Sequence, residues 1–416
     1  MTPYLQQRSL YPPQISNPPP DNLALVVGVP AFDEPGLLES LQCLYECVIP
    51  EGVAVEVIVV VNEPEDASDE VVARNLEIFS QARNWAASHR RPGLQFFILH
   101  HALPVRHAGV GLARKIAMDE ACWRLEQAGR PEGFIACFDA DSRCDANYFQ
   151  ALVHHFRNHP ECPAASIYFE HPLMGSDHPP EVYTAILSYE LHLRYYIQAQ
   201  RWAGFPHAFH TVGSSMAVRC SAYQQQGGMN KRKAGEDFYF IHKFTLLPGF
   251  ANITDTRAIP SPRPSHRVPF GTGRAITEIM ENGGRYPTYP PQSFIELKGF
   301  LGQLPNLYEK ERGWKSLPLS FVLKEFLTEQ GFDGKLSEML QHTASYETFR
   351  SRFFRWFNAF MVMKYLHFSR SKGRADVPTS FAARWLLNEL GQLPEKEDDY
   401  SLLCRYRGID LNGLLF

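Results

Sequence analysis

The stretch Gly133-Phe134-Ile135-Ala136-Cys137-Phe138-Asp139-Ala140-Asp141-Ser142 decides how this chain is read. Its apolar part has the length of a buried strand, and two carboxylates stand where that strand runs out. In an open α/β sheet this is the edge that holds a ligand. Asp139 and Asp141 are one residue apart and would face opposite ways on an extended strand. Both reach one ion only if the backbone turns, as Ser142-Arg143-Cys144-Asp145 predicts. Mg²⁺ and Mn²⁺ prefer oxygen ligands, and Mg²⁺ commonly takes only one or two carboxylates, leaving its other positions to water and phosphate. The pair therefore reads as a platform for a divalent cation and a diphosphate. The competing reading is that acids after a strand cap the next helix.

Outward from this stretch, short apolar segments alternate with amphipathic ones. Strands are predicted at 23–29, 55–61, 94–100 and 134–138, with helices at 36–47, 68–89 and 110–127 between them. A strand at 164–169, a long helix at 181–201, a strand at 210–218, a turn at Gly227-Gly228 and a helix at 236–246 follow. This order implies an α/β fold, a mostly parallel mixed sheet with helices on both faces. Residues 259–273 hold too many prolines and glycines for regular structure and read as an active-site loop. Beyond about 276 the strand pattern stops, and the C-terminal region is mainly helical. The expected division is a Pro-rich N-terminal arm at 1–22, an α/β domain at 23–275 and a helical region at 276–416.

With 416 residues, 44% hydrophobic and 21% charged, the chain has ample core for a globular protein. A net charge of -4 and a pI near 6.5 exclude a nucleic-acid binder that works by massed Lys and Arg. The eight cysteines lack any Cys-x-x-Cys pair, and Cys47, Cys122 and Cys137 sit in apolar contexts, which implies free buried thiols in a reducing compartment. No apolar run reaches membrane-helix length; 353–368 is interrupted by Arg355, Asn358, Lys364 and His367. Residues 1–22 show no secretory pattern. The expectation is a soluble cytoplasmic protein with no transmembrane segment.

Five pieces, in order, resemble glycosyltransferase family 2, the nucleotide-sugar-dependent transferases with a GT-A (Rossmann-like) fold. They are Val27-Gly28-Val29-Pro30-Ala31-Phe32-Asp33-Glu34-Pro35, then 56–62 ending in Asn62, then Ala108-Gly109-Val110-Gly111-Leu112-Ala113-Arg114, then Phe138-Asp139-Ala140-Asp141-Ser142, and finally Gly213-Ser214-Ser215 with Gly227-Gly228 and Gly235-Glu236-Asp237. The likeness covers roughly 23–245 and leaves the C-terminal third uncovered. Two departures stand out: Asp33 takes the place of an Asn, and Asn62 ends a strand that in the family ends in Asp.

The resemblance implies a metal-dependent hexosyltransferase-like enzyme that moves a sugar from a nucleoside-diphosphate sugar to a small-molecule or glycan hydroxyl, with inversion. It makes Asp141 the nearer ligand of Mn²⁺ or Mg²⁺, Asp139 a contact to ribose or metal, and His266 a third ligand. Pro30, Phe32, Glu34, Asn62 and Arg114 fall along the donor, and Arg263 and Arg267 could clamp its diphosphate. Asp237 becomes the general base, with Glu236 orienting it or binding acceptor. Plainer readings stand beside these. Asn62 ends a strand, Glu236 and Asp237 suit the first turn of a helix, and His266 is a solvated loop residue. The rival functions are a retaining GT-A enzyme making a glycosyl-glycerate product, a sugar-nucleotide-forming nucleotidyltransferase and a non-catalytic nucleotide-sugar binder. Sugar, nucleobase, acceptor and oligomeric state stay open.

Gly109-Val110-Gly111 imitates a dinucleotide fingerprint but has Arg114 in the third glycine position. Gln198 to Trp202 and Arg352 to Trp356 imitate the acceptor motif of polysaccharide synthases, yet neither follows Glu236-Asp237 at the right distance. Both read as helix surface with an aromatic anchor, and Lys231-Arg232-Lys233 as a solvated turn.

Overall fold

The computed structural model describes residues 2–233, 235–265, 271–309, 313–392 and 397–413. The chain divides into two compact units, residues 1–182 with 211–277, and residues 183–210 with 278–416.

The first unit is built on an eight-stranded mixed sheet. Its strands are β1 (Leu23–Ala31), β2 (Ala54–Pro64), β3 (Leu94–Leu103), β4 (Phe134–Cys137), β5 (Arg143–Cys144), β6 (Ala164–Phe169), β7 (Met216–Arg219) and β8 (Ala251–Ile259), in the order β3-β2-β1-β4-β7-β6-β8-β5. Pairs β1–β2, β2–β3, β1–β4 and β6–β8 are parallel, whereas β7 runs antiparallel to both β4 and β6. Period-two alternation sends Leu25, Val27 and Val29 of β1 to one core, where α2 (Leu37–Glu46), α3 (Asp69–Ser88) and α5 (Tyr148–Asn158) contribute Leu41, Ala82 and Phe149. Val26 of β1 and Ile58 and Val60 of β2 join a second core on the other face, with α1 (Pro3–Gln7), α4 (Val110–Gln127), α7 (Cys220–Gln225) and α8 (Glu236–Ile241). Helices thus cover both faces, as the alternation required. The strand order reverses between β1 and β4, which opens a crevice at their carboxyl ends.

The ranges for β1 to β4 and for α2 to α4 agree with the pattern to within three residues. Two differ further on. Of residues 210–218 only 216–218 belong to a strand, because the Ser215 N–H donates to the Val212 carbonyl and makes a turn through Gly213. The helix expected at 236–246 ends at Ile241, where tight bonds such as Phe244 N–H to the Ile241 carbonyl take over. Strand β8 carries Asn252, Thr254, Asp255 and Arg257 among few apolar residues, so no apolar run announced it.

In the second unit the helix α6 (Pro180–Trp202), whose first residues lie in the first unit, leads on to helices. After α9 (Thr272–Glu281) these are α10 (Pro291–Leu301), α11 (Leu304–Glu309), α12 (Phe321–Glu329), α13 (Phe332–Gln341), α14 (Tyr346–Trp356), α15 (Ala359–Ser371), α16 (Thr379–Glu389) and α17 (Asp399–Asn412). A two-stranded ribbon, β9 (Pro287–Thr288) with β10 (Val377–Pro378), is the only sheet among its described residues. Asp410 of α17 is buried and holds Arg194, Gln198 and His210, and it lies 3.5 Å from Arg201. Burial opposes its ionisation, but His210, Arg194 and Arg201 outweigh that and hold the carboxyl below its ordinary value. Gln198 and Arg201 therefore belong to an internal knot, which corrects the reading of that segment as helix surface.

Among the described residues no helix is long and apolar enough to cross a membrane. All eight cysteines are free thiols.

Candidate active site

The backbone leaves β4 at Cys137 and turns at once, with the Ser142 N–H on the Asp139 carbonyl at 3.0 Å, so Asp139 and Asp141 sit on one turn. Ser40 of α2 fastens that turn from below, its hydroxyl 2.8 Å from both the Ala140 and the Ser142 carbonyls. The two carboxylates stay about one-third exposed, at 34% and 31%. Each is approached by an arginine.

Arg114, the fifth residue of α4, is buried and forks across the site. One terminal nitrogen meets Asp139 Oδ1 at 2.5 Å, and the other meets Glu236 Oε1 and the Gly213 carbonyl, each at 3.1 Å. A Cβ on Gly213 would come within 2.7 Å of that guanidinium, so glycine lets the arginine approach this carbonyl closely. Burial alone would lower the Arg114 pKa, but Asp139 and Glu236 raise it well above its usual value. Asp237 follows Glu236 at the start of α8 and accepts the Phe238 N–H at 2.7 Å. Asp139 and Glu236 thus share one guanidinium, and Asp237 lies within reach of its charge. Burial outweighs the arginine's pull, so Glu236 rises to about 7 and Asp237 to about 6.

Arg263 reaches the site from the chain after β8. It pairs with Glu34 and lies 3.8 Å from Asp141 Oδ2. Glu34 is buried just past β1 and also accepts the Gly36 N–H. Pro30 is buried within β1, and Phe32 is half-buried just past it. His266 and Arg267 lie outside the described residues.

Asp33 holds a left-handed backbone, φ 48°, uncommon for a side chain with a Cβ. Helix α3 fixes it there: the Asp33 N–H donates to Asn75, and Arg74 forks onto its carboxylate at 2.8 and 2.9 Å. Asn75 also donates to the Asn62 carbonyl and to Glu63, which pairs with His100 of β3 at 2.9 Å. Asn62 donates its amide to the Ala31 and Val60 carbonyls, so those donors are committed to joining β1 and β2. Arg74, Asn75 and His100 were not anticipated. The one signal was a polar Asn in a helix interior, where it is disfavoured unless bonded.

The glycines at the start of α4 have a packing cause. A Cβ on Gly111 would lie 2.3 Å from the Arg232 carbonyl and one on Gly109 2.8 Å from that of Lys233, so the two glycines admit the chain at 230–233. Lys231, Arg232 and Lys233 are exposed, as expected.

Among the described residues no group of three or more His, Cys, Asp or Glu could by itself hold a metal ion. Two partly exposed carboxylates on one turn do suit a hard cation that takes its remaining ligands from water and phosphate.

No protein-family model and no curated protein matches this chain. Among solved structures, S. aureus TarS 1-349 in complex with UDP-GlcNAc aligns at 15% identity and a TM-score of 0.40, covering 89% of this chain and 92% of that one. The same fragment with UDP aligns at 15% identity and a TM-score of 0.39, covering 90% and 94%. The mannosyltransferase PcManGT from Pyrobaculum calidifontis, in complex with GDP-Man and Mn²⁺, aligns at 15% identity and 0.35, covering 98% and 92%. Likenesses this loose register no side chain of the site.

Proposed function

We propose that this chain is a GT-A glycosyltransferase resembling family 2, which transfers a sugar from a nucleoside-diphosphate sugar to a hydroxyl acceptor with inversion. The observation that carries the reading is the Arg114 fork, which ties the carboxylate at the end of β4 to the acidic start of α8 across the crevice. A donor platform is thereby tied to the helix start that carries Asp237.

In this reading Asp139 and Asp141 hold Mn²⁺ or Mg²⁺. The cation, when bound, neutralises charge developing on the departing nucleoside diphosphate. Asp237 takes the proton of the acceptor hydroxyl. Its raised pKa of about 6 suits a base that is ionised at neutral pH and still binds a proton well. Glu236, fixed by Arg114, orients the acceptor side. Arg263 balances Glu34 and Asp141 and turns toward the diphosphate when donor enters. Glu63 and His100, beyond Asn62, line the place where the base would rest.

Titration calorimetry of UDP and GDP with Mn²⁺, with Mg²⁺ and with chelator tests the reading. Metal should tighten binding of one nucleotide by at least about tenfold, the equivalent of 1.4 kcal/mol, and Asp141→Ala should abolish the difference. Equal affinity in all three conditions refutes it.

A further inference from the structure

Directly behind the Asp139–Asp141 turn lie three thiols with no role in sugar transfer. Cys43 projects from α2, Cys47 stands directly after that helix, and Cys144 projects from β5. The Cys144 sulfur is 3.7 Å from that of Cys43 and 3.5 Å from that of Cys47. Free cysteines at such separations are in van der Waals contact. The contact is also directional, since the Cys144 backbone N–H donates to the Cys43 sulfur at 3.2 Å.

We propose that Cys43 and Cys144 form an oxidisable thiol pair, a modification site for a peroxide-class oxidant whose disulfide draws on the Asp139–Asp141 turn.

The two thiols are unequal. Cys43 is half-buried and thus reachable, and the Cys144 thiol and backbone N–H donate to it, lowering its pKa to about 7 against burial. Arg143 adds to the lowering and Glu46 opposes it. Cys144 is buried, and its hydrogen bonds with Cys43 and Cys47 together with burial hold it well above its ordinary value. An accessible thiolate beside a buried thiol is the arrangement of an attacking and a resolving cysteine.

In the first step the Cys43 thiolate attacks hydrogen peroxide. A sulfur–oxygen bond forms, the oxygen–oxygen bond breaks, and the departing hydroxide takes up a proton to become water. In the second step the Cys144 sulfur attacks the Cys43 sulfenic sulfur. A disulfide forms, the sulfur–oxygen bond breaks, and the hydroxyl leaves with the Cys144 proton as a second water. Two electrons have passed from the thiols to the peroxide.

The bond would bring the sulfurs from 3.7 Å to about 2.05 Å, a closure of about 1.6 Å. Cys144 lies three residues beyond Asp141, and Ser40 lies three residues before Cys43 and holds the turn's carbonyls. Drawing β5 toward α2 therefore acts on the same turn from both sides.

The test is peptide mapping by mass spectrometry of the full chain after stoichiometric peroxide, with hydrogen exchange followed at 138–145. It reads neither nucleotide binding nor transfer, so it stands apart from the proposed function. A Cys43–Cys144 linked peptide should form, vanish in Cys43→Ser and in Cys144→Ser, and persist in Cys404→Ser, which lacks the exposed thiol. Exchange at 138–145 should shift several-fold on oxidation and return with dithiothreitol. Absence of that peptide from the oxidised wild type, a link through Cys47 in its place, or unchanged exchange at 138–145 overturns the proposal.

Discussion

Replacing Arg114 by Met keeps an unbranched apolar stem and removes the guanidinium and its charge, leaving Asp139, Glu236 and the Gly213 carbonyl without their shared partner. Asp139 is about one-third exposed and can rehydrate, so the cost concentrates on Glu236, whose side chain is only 4% exposed. Breaking a buried ion pair from one side costs about 3–5 kcal/mol. The penalty should depend on pH in a defined sense. A carboxyl whose folded pKa is raised keeps its full contribution to stability below the unfolded value, near 4.3, and loses it as pH climbs through the folded value. For Glu236 that loss ends near pH 7, since burial raises it to about 7 despite Arg114. Without Arg114 the folded value moves higher and the loss continues. The gap between wild type and Arg114→Met should therefore be nearly flat up to about pH 6, where Asp237 begins to ionise against the same arginine, and widen above it by up to about 1.4 kcal/mol per unit for each of the two carboxyls. Thermal melts at pH 6, 7 and 8 read this directly. A cost of 3–5 kcal/mol corresponds to about 6–20 °C in a unit of this size. A drop under about 3 °C at every pH, or a gap that narrows from pH 7 to 8, would refute the idea that Arg114 clamps these acids.

Asp237→Asn should leave nucleotide affinity within a few-fold while transfer falls by about 10² to 10⁴; transfer that survives removes Asp237 from proton transfer. In the wild type kcat/KM should rise with pH on its acid side with a midpoint near the Asp237 value of about 6, because the base must first lose its proton. Gly111→Ala should cost about 1–3 kcal/mol in a melt, as its Cβ would lie 2.3 Å from the Arg232 carbonyl and backbone must move. Gly299→Ala in α10, where a Cβ meets nothing within 4 Å, should be neutral or stabilise by up to about 1 kcal/mol. Asp410→Ala should destabilise the helical unit by about 3–5 kcal/mol, seen as a lower denaturant midpoint, because Arg194 is left buried and short of a partner.

Much of the first unit was legible because buried parallel strands are apolar runs and their crossover helices are periodic. Val57 to Val61 and Ile135 to Phe138 could be little else. The turn at Asp139 was legible for the same reason, since an acid directly after a fully buried strand has to leave the sheet. What failed to show was polar structure held by distant partners. Strand β8 survives with Asn252, Thr254 and Asp255 because it pairs with β6 and β5. Residues 210–215 carry strand-like composition, but they turn, and the Gly213 carbonyl is held by an arginine 99 positions away. Gln198 looked like surface because its partner, Asp410, lies 212 positions on.

Helix α4 states this limit most sharply. Its ends follow from the pattern, but its surroundings do not, because every residue from Gly111 to Leu125 is buried, five of them charged. At 3.6 residues per turn, Arg114, Lys115, Asp119, Glu120 and Arg124 fall at about 0°, 100°, 140°, 240° and 280° around the axis, so no single stripe is polar. A helix charged all round must face water on most sides or find partners on most sides. Here it finds them. Lys115 bonds Tyr4 and Asp119, and Asp119 takes Tyr4, Tyr223 and the Leu10 N–H. Glu120 takes the N–H groups of Gln14 and Ile15, and Arg124 forks onto the buried Glu56. The Pro-rich segment before β1 is thus the cover that lets α4 carry Asp119 and Glu120 inward, while Arg114 on the same helix is held by Asp139, Glu236 and the Gly213 carbonyl. The sequence trace of that cover is the absence of any polar stripe on α4, which becomes informative only once the helix is known to lie against the sheet.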